Sequence, residues 1–177
     1  RDRITQKISF VKQYEPKGFG HAVYQAASFT NKEPVLLLLG DTLYRSNTST
    51  PCLKQIVDTY DIYGKSIVAL QTVGVKNVSS FGVFSGHWDD KEERILNCSE
   101  VVEKPTPDYA KEYLMLSRKK EENVCCAAFG AYVLNEKIFS YLGDAVRNNH
   151  TNEKGEIDLT EAFRKAIKEK DLIGFLS

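Results

Sequence analysis

The sequence predicts an α/β fold, a mostly parallel central sheet flanked by helices, formed as a single domain over residues 1–177. Three observations lead there. Residues 35–41 read VLLLLGD, and five consecutive branched aliphatics mark a strand buried on both faces, as in the middle of a parallel sheet. That run, a helical segment opened by Pro51 and a second apolar run at 66–70 form a β-α-β succession, which implies a parallel pair with a right-handed crossover. Amphipathic helical segments then recur between apolar strands down to the last residues.

The elements follow in order. Residues 8–11 read as a short strand. Residues 14–20 hold one proline and two glycines and read as a loop. It runs into a helix over 21–27, with Ala22, Val23, Ala26 and Ala27 at helical spacing. Free N–H groups at such a start suit a polar or anionic partner, and a plain tight turn is the alternative. The central strand ends at Gly40-Asp41, and 45–50 is a polar surface loop. A helix over 51–60 takes Thr50 as N-cap and Pro51 as its first residue, with Cys52, Leu53, Ile56, Val57 and Tyr60 as its buried stripe.

After the strand at 66–70, residues 79–84 form a strand interrupted by Gly82, which marks a bulge or the close approach of a ligand. Residues 88–93 are a charged turn. The strand at 95–102 ends in Glu103-Lys104-Pro105, 107–116 is helical, and 118–122 is a charged, solvated surface. Residues 125–134, CCAAFGAYVL, form a long apolar strand with Gly130 in its middle. Asn135 caps a helix bearing Ile138, Phe139, Leu142, Ala145 and Val146, and 147–154 is a polar loop. Asp158 and Glu161 form a capping pair ahead of a helix that buries Leu159, Ala162, Phe163, Ala166 and Ile167. Residues 172–176 are the last strand.

Composition narrows the function. There are 24 basic and 24 acidic residues, whereas a general nucleic-acid binder needs a basic excess. No apolar stretch approaches the roughly 20 residues of a membrane helix, so neither nucleic acid nor membrane is an expected partner. Cys52, Cys98, Cys125 and Cys126 show no metal-site spacing and read as reduced and mostly buried, which points to the cytoplasm. The four N-x-S/T sequons at Asn47, Asn77, Asn97 and Asn149 lack support from that cysteine pattern.

The residues with chemistry lie at strand ends. Ligands of open α/β sheets bind beyond the carboxyl ends of strands. There Asp41 reads as a divalent-metal ligand facing a nucleotide or sugar phosphate, or else as a turn residue or N-cap. At Glu103-Lys104-Pro105 the proline implies a bend. A carboxylate there can accept two sugar hydroxyls while an ammonium meets a phosphate; two exposed charges before a turn is the alternative. His21, His87 and His150 do not cluster, and no nucleophile–base relay or Walker-A loop is present.

The segments GFGHAV, LLLLGD, SSFGVF, VVEKP, FGAYVL and GEIDLTEAF occur in one order between residues 18 and 163, within a resemblance that runs over residues 8–175. That ordered set resembles the bacterial-type UTP–glucose-1-phosphate uridylyltransferases (UDP-glucose pyrophosphorylases) within the sugar-nucleotide pyrophosphorylase family. The resemblance implies a Rossmann-like, GT-A-like nucleotidyltransferase domain that forms UDP-glucose and pyrophosphate from UTP and glucose 1-phosphate. It places Gly20 against the uracil base with His21 beside it, and Asp41, after Gly40, on the catalytic Mg²⁺. It sets Gly82 and Gly130 at the sugar, Glu103 on glucose hydroxyls and Lys104 on the sugar phosphate. Ala131 stands where the family has arginine, and Asp158 where it has glutamine. The family's N-terminal strand, its G-x-G-T-R loop and its C-terminal aspartate have no counterpart here. The chain therefore reads as the centre of such an enzyme, incomplete at both ends and inactive alone. It is expected to be completed by further segments or to form a homo-oligomer. The alternative is a non-catalytic regulatory or scaffolding subunit of the same fold.

Overall fold

A computed structural model describes residues 8–118 and 121–177, the side chains of 118 and 121–123 excepted. In chain order its elements are α1 (Phe19–Tyr24), α2 (Ala27–Thr30), β1 (Val35–Leu38), α3 (Cys52–Tyr63), β2 (Ser66–Val73), β3 (Gly82–Trp88) and β4 (Ile95–Glu103). There follow α4 (Pro107–Tyr109), a π-helical turn (Ala110–Leu114), β5 (Leu116–Arg118), β6 (Glu121–Leu134), α5 (Glu136–Arg147), α6 (Leu159–Lys168) and β7 (Leu172–Leu176). One sheet runs β1-β6-β2-β7-β4-β3, with β5 on β6 and a second contact between β3 and β6.

The sheet is mixed and mostly antiparallel, which corrects the expectation of a mostly parallel one. Among the described strands the only parallel pair is β2 with β7. The reason is the place of β6. It enters between β1 and β2 and runs antiparallel to both. β1 and β2 therefore point the same way, as the β-α-β succession requires, without touching.

Placement of the doubly buried strand changes accordingly. β1 lies at the end of the sheet path, and its residues alternate: Val35 and Leu37 pack on the core, while Leu36 and Leu38 are 37% and 39% exposed. Burial on both faces is found instead at β2 and β7. Val68, Leu70, Leu172 and Leu176 face the core under α5 and α6, while Ile67, Ala69, Ile173 and Phe175 face the core with Ile56 of α3. A parallel pair covered by helices on both sides is buried in this way. Cys125 and Cys126 likewise enter different clusters.

Other boundaries shift for local reasons. Residues 8–11 form no strand: Ile8, Phe10 and Val11 are exposed, and among the described residues no strand pairs with them. The helix expected over 21–27 begins at Phe19 and breaks after Tyr24. Pro51 itself occupies the N-cap of α3, displacing Thr50, and the helix extends to Tyr63, where Gly64 ends it at φ 63°. The strand expected over 79–84 starts only at Gly82, after a 3₁₀ turn at Val75–Ser80. Residues 107–116 divide into α4, the π-helical turn and the start of β5. Of the charged stretch at 118–122, residues 119 and 120 lie outside the described residues.

The two capped helices form as their sequences require. Asn135 Oδ1 accepts from Lys137 N–H, and Asp158 Oδ1 from Thr160 N–H. Glu161 does not reach back to close the expected capping box; it pairs with Arg164.

Candidate functional site

The site grows from the β3–β4 hairpin. Antiparallel register sets Gly82 opposite Glu103. A Cβ at Gly82 would lie 3.0 Å from Glu103 Oε2, so the missing side chain makes room for the carboxylate. Lys104 then turns the chain at φ 49°, a left-handed conformation that costs a non-glycine residue roughly 1–2 kcal/mol. The turn is secured by Lys104 N–H donating to Phe81 O and by Ser79 Oγ donating to Pro105 O, both at 2.9 Å. Neighbours on a straight strand face opposite ways. Here the turn brings Glu103 and Lys104 onto one cavity, with Lys104 Nζ 4.0 Å from Glu103 Oε1.

That cavity is about 450 Å³. Phe84, Tyr132 and Phe163 form its aromatic floor, the Tyr132 and Phe163 rings stacked at 5.7 Å and the Phe84 and Phe163 rings 6.0 Å apart. Glu103, Lys104, Lys154 and Asp158 supply charge around it. Burial raises the pKa of the Glu103 carboxyl, as does the Asp158 carboxylate; Lys104, Lys154 and Arg164 oppose the shift. Tyr132 is pushed up to about 12, first by burial and then by Glu103 and Tyr44.

Gly130 lines the same cavity and has a second task. Its φ of 73° favours glycine, and a Cβ there would lie 2.8 Å from Thr42 Oγ1. Its carbonyl accepts from Leu39 N–H at 2.9 Å and from Tyr44 Oη at 2.5 Å. The segment that carries Asp41 is thus pinned on both sides of Asp41 to one carbonyl of β6. Asp41 is exposed in the turn beyond β1, accepts from Thr42 Oγ1 at 3.3 Å and does not line the cavity. A Cβ at Gly40 would meet nothing within 4 Å, so no contact in the fold demands glycine there.

Gly20 and His21 sit apart from the cavity wall, where Phe19 of α1 is the lining residue. Gly20 is buried, and a Cβ on it would lie 2.8 Å from Ile157 O and Asp158 C; it allows α1 to pack on the start of α6. His21 N–H donates to Ile157 O at 3.3 Å. The His21 ring lies between the side-chain amides of Gln13 and Gln25, at 2.9 and 3.2 Å.

Of the residues singled out from sequence, Gly82, Glu103, Lys104 and Gly130 share one cavity, while Gly20, His21, Gly40 and Asp41 do not line it. A nucleotidyl transferase family model matches residues 2–176. The chain belongs to that family. UTP–glucose-1-phosphate uridylyltransferase YngB of Bacillus subtilis (strain 168) is 34% identical over 165 residues, 93% of this chain and 49% of that protein. A UTP–glucose-1-phosphate uridylyltransferase of Staphylococcus epidermidis is 32% identical over 171 residues, 95% of this chain and 51% of that protein. A solved UDP-glucose pyrophosphorylase complexed with UDP-glucose shares 31% identity at a TM-score of 0.77, covering 95% of this chain and 57% of that one. The chain spans about half the length of the curated relatives it matches.

Tyr132 and Lys154 line the cavity and were given no site role from the sequence. Tyr132 stands two residues from Gly130 on β6, so strand alternation could have found it. Asp158 was read as a helix cap and as a departure from the resembled family's glutamine, and it both caps α6 and lines the cavity. Lys154 carried no signal, being one lysine in a polar loop. Ala131 is fully buried in the core beside α3.

Proposed function

We propose that the cavity is a sugar-nucleotide site, and that the whole protein forms UDP-glucose and pyrophosphate from UTP and glucose 1-phosphate. The observation that carries this is the meeting of Gly82, Glu103, Lys104 and Gly130 around one cavity of about 450 Å³. The UDP-glucose complex of a pyrophosphorylase 31% identical to this chain supports it. On this reading the module is the GT-A-like core of the enzyme.

In the reaction an oxygen of the sugar phosphate attacks the α-phosphorus of UTP in line. The bond to the oxygen bridging to the β-phosphorus breaks, and pyrophosphate leaves with that electron pair. The protein supplies position and charge and no nucleophile. Lys104 holds the phosphate of the sugar. Glu103 accepts hydroxyl hydrogens, for which its carboxylate form is required. The aromatic floor excludes water beneath the sugar ring. Gly20 and His21, at the start of α1, border the base, and Gly40 keeps the approach to Asp41 open.

Asp41 fits the role of metal ligand. It is a single carboxylate exposed beyond a strand end. Mg²⁺ accepts one or two carboxylates when phosphate oxygens and water complete its shell. Bound there, Mg²⁺ would neutralise charge on the phosphates.

Two further parts of the proposal concern setting. The outer edge of β1, with Leu36 and Leu38 exposed and Leu43 beyond it 94% exposed, takes a strand from a further segment or a second copy. A stable monomer of this chain by sedimentation counts against that. The four cysteines, all among the described residues, form no disulfide and three of them are buried, which supports a cytoplasmic location. The function is tested by calorimetric titration of UDP-glucose with Mg²⁺ into the chain and into its Asp41→Ala and Lys104→Ala variants. Binding by the parent, weakened in both variants, is expected. A folded parent that takes up no UDP-glucose overturns the proposal.

A further inference from the structure

We propose that Lys154 is a second anion-binding side chain of this cavity, joining Lys104 on the phosphate of a sugar 1-phosphate; the proposal rests on the sugar-nucleotide reading of the cavity. A phosphate monoester carries close to two negative charges at neutral pH. One ammonium leaves about half of that charge unmatched. The cavity is also lined by Glu103, Glu156 and Asp158, so an entering phosphate meets three carboxylates. Lys154, which lines the same cavity, can supply a second cation there.

Three cations act on the surroundings of Glu103: Lys104, Lys154 and Arg164. Arg164 is already engaged, its Nε donating to Val101 O at 3.2 Å and its guanidinium pairing with Glu161. Lys104 is next to Glu103 in the chain and 4.0 Å from its carboxylate. Among the described residues Lys154 has no salt-bridge partner.

The backbone of Lys154 is nevertheless fixed. Asn152 Oδ1 accepts from Lys154 N–H at 2.9 Å and from Glu156 N–H at 3.0 Å. Asn152 N–H donates to Glu156 O at 2.8 Å, and Gly155 N–H to Asn152 O at 2.9 Å. Gly155 turns the chain at φ 76°. Ile157 N–H donates to Lys17 O at 2.8 Å, anchoring the turn to the segment ahead of α1. The turn therefore holds its shape without the lysine side chain, which is presented to the cavity uncommitted.

The test is calorimetric titration of glucose 1-phosphate and of UDP-glucose into the full chain and its Lys154→Ala, Lys154→Gln, Lys154→Arg and Asn152→Ala variants. Lys154→Ala and Lys154→Gln are expected to weaken glucose 1-phosphate binding about tenfold alike, and Lys154→Arg to stay within about threefold of the parent. Asn152→Ala, which loosens the turn, falls between them. Thermal stability is expected to be unchanged in all three Lys154 variants, because the side chain holds nothing in the fold. Undiminished binding by Lys154→Ala, while Lys104→Ala loses binding, overturns the role of Lys154 alone. A parent that binds neither ligand overturns the sugar-nucleotide reading, and the role of Lys154 with it.

Discussion

On the proposed reading the hairpin wall and the Asp41 turn serve one reaction, and they are built in different ways. Glu103 ends a nine-residue strand, paired with β3 up to Glu103 and with β7 over Ile95–Asn97, and Lys104 follows it at a corner held by Phe81 and Ser79. Asp41 stands in an exposed turn after a four-residue strand at the end of the sheet path, tied to β6 through the carbonyl of Gly130. Groups that must select a sugar need fixed geometry, because hydrogen-bond specificity falls off within fractions of an ångström. A ligand for a hydrated metal ion needs only reach and charge. The difference predicts that the wall answers to core mutations and the turn to one carbonyl on β6.

The largest effect is expected beneath the wall. Phe84 is 1% exposed under the cavity, and Phe84→Ala should cost about 3–5 kcal/mol in urea unfolding. Asp41→Ala should leave the unfolding midpoint where it is. Equal losses in the two variants would break the comparison.

Gly130→Ala comes next. The left-handed backbone alone costs about 1–2 kcal/mol, and the new methyl presses on Thr42 Oγ1. The turn should move, so Mg²⁺-dependent binding of UDP-glucose is expected to fall more than metal-free binding. Tyr44→Phe removes one hydrogen bond to Gly130 O, and should cost about 1 kcal/mol in the same unfolding measurement. Metal dependence should shift in the same direction but less.

The smallest effect is one of pH. Glu103 has its pKa raised in the folded protein by burial and by Asp158. Between its unfolded and folded pKa values the folded state binds more protons than the unfolded one, so this group's contribution to stability falls as pH rises through that window and stays low above it. Glu103→Gln should therefore raise the melting temperature slightly at neutral pH and flatten its dependence on pH across the acidic range. A melting temperature that drops at neutral pH would show that the ionised carboxylate stabilises the wall.

The wall was also the more legible region in the sequence. Gly82, Glu103 and Gly130 lie at strand ends or inside strands, where register fixes their neighbours, and Lys104 follows directly at the proline-marked bend; the four meet at one cavity. Asp41 was legible as a residue beyond a strand, but the tie from Gly130 O to Tyr44 spans 86 positions and leaves no local trace. Strand direction was illegible for a similar reason. An apolar run such as 125–134 records that a strand is buried and says nothing of which way it runs. The antiparallel entry of β6 therefore turned an expected central strand into the edge strand β1. Gly20 was found for one role and shows another, packing against the backbone of Ile157 and Asp158.

The most direct test of the cavity as the sugar-nucleotide site is a ¹⁵N-resolved NMR titration of the chain with UDP-glucose. The amides of Gly82, Lys104, Gly130 and Thr160 are expected to shift first and to saturate together. Shifts confined to the separate groove lined by Arg45, Gln55 and Arg94, with the hairpin amides unmoved, would contradict it.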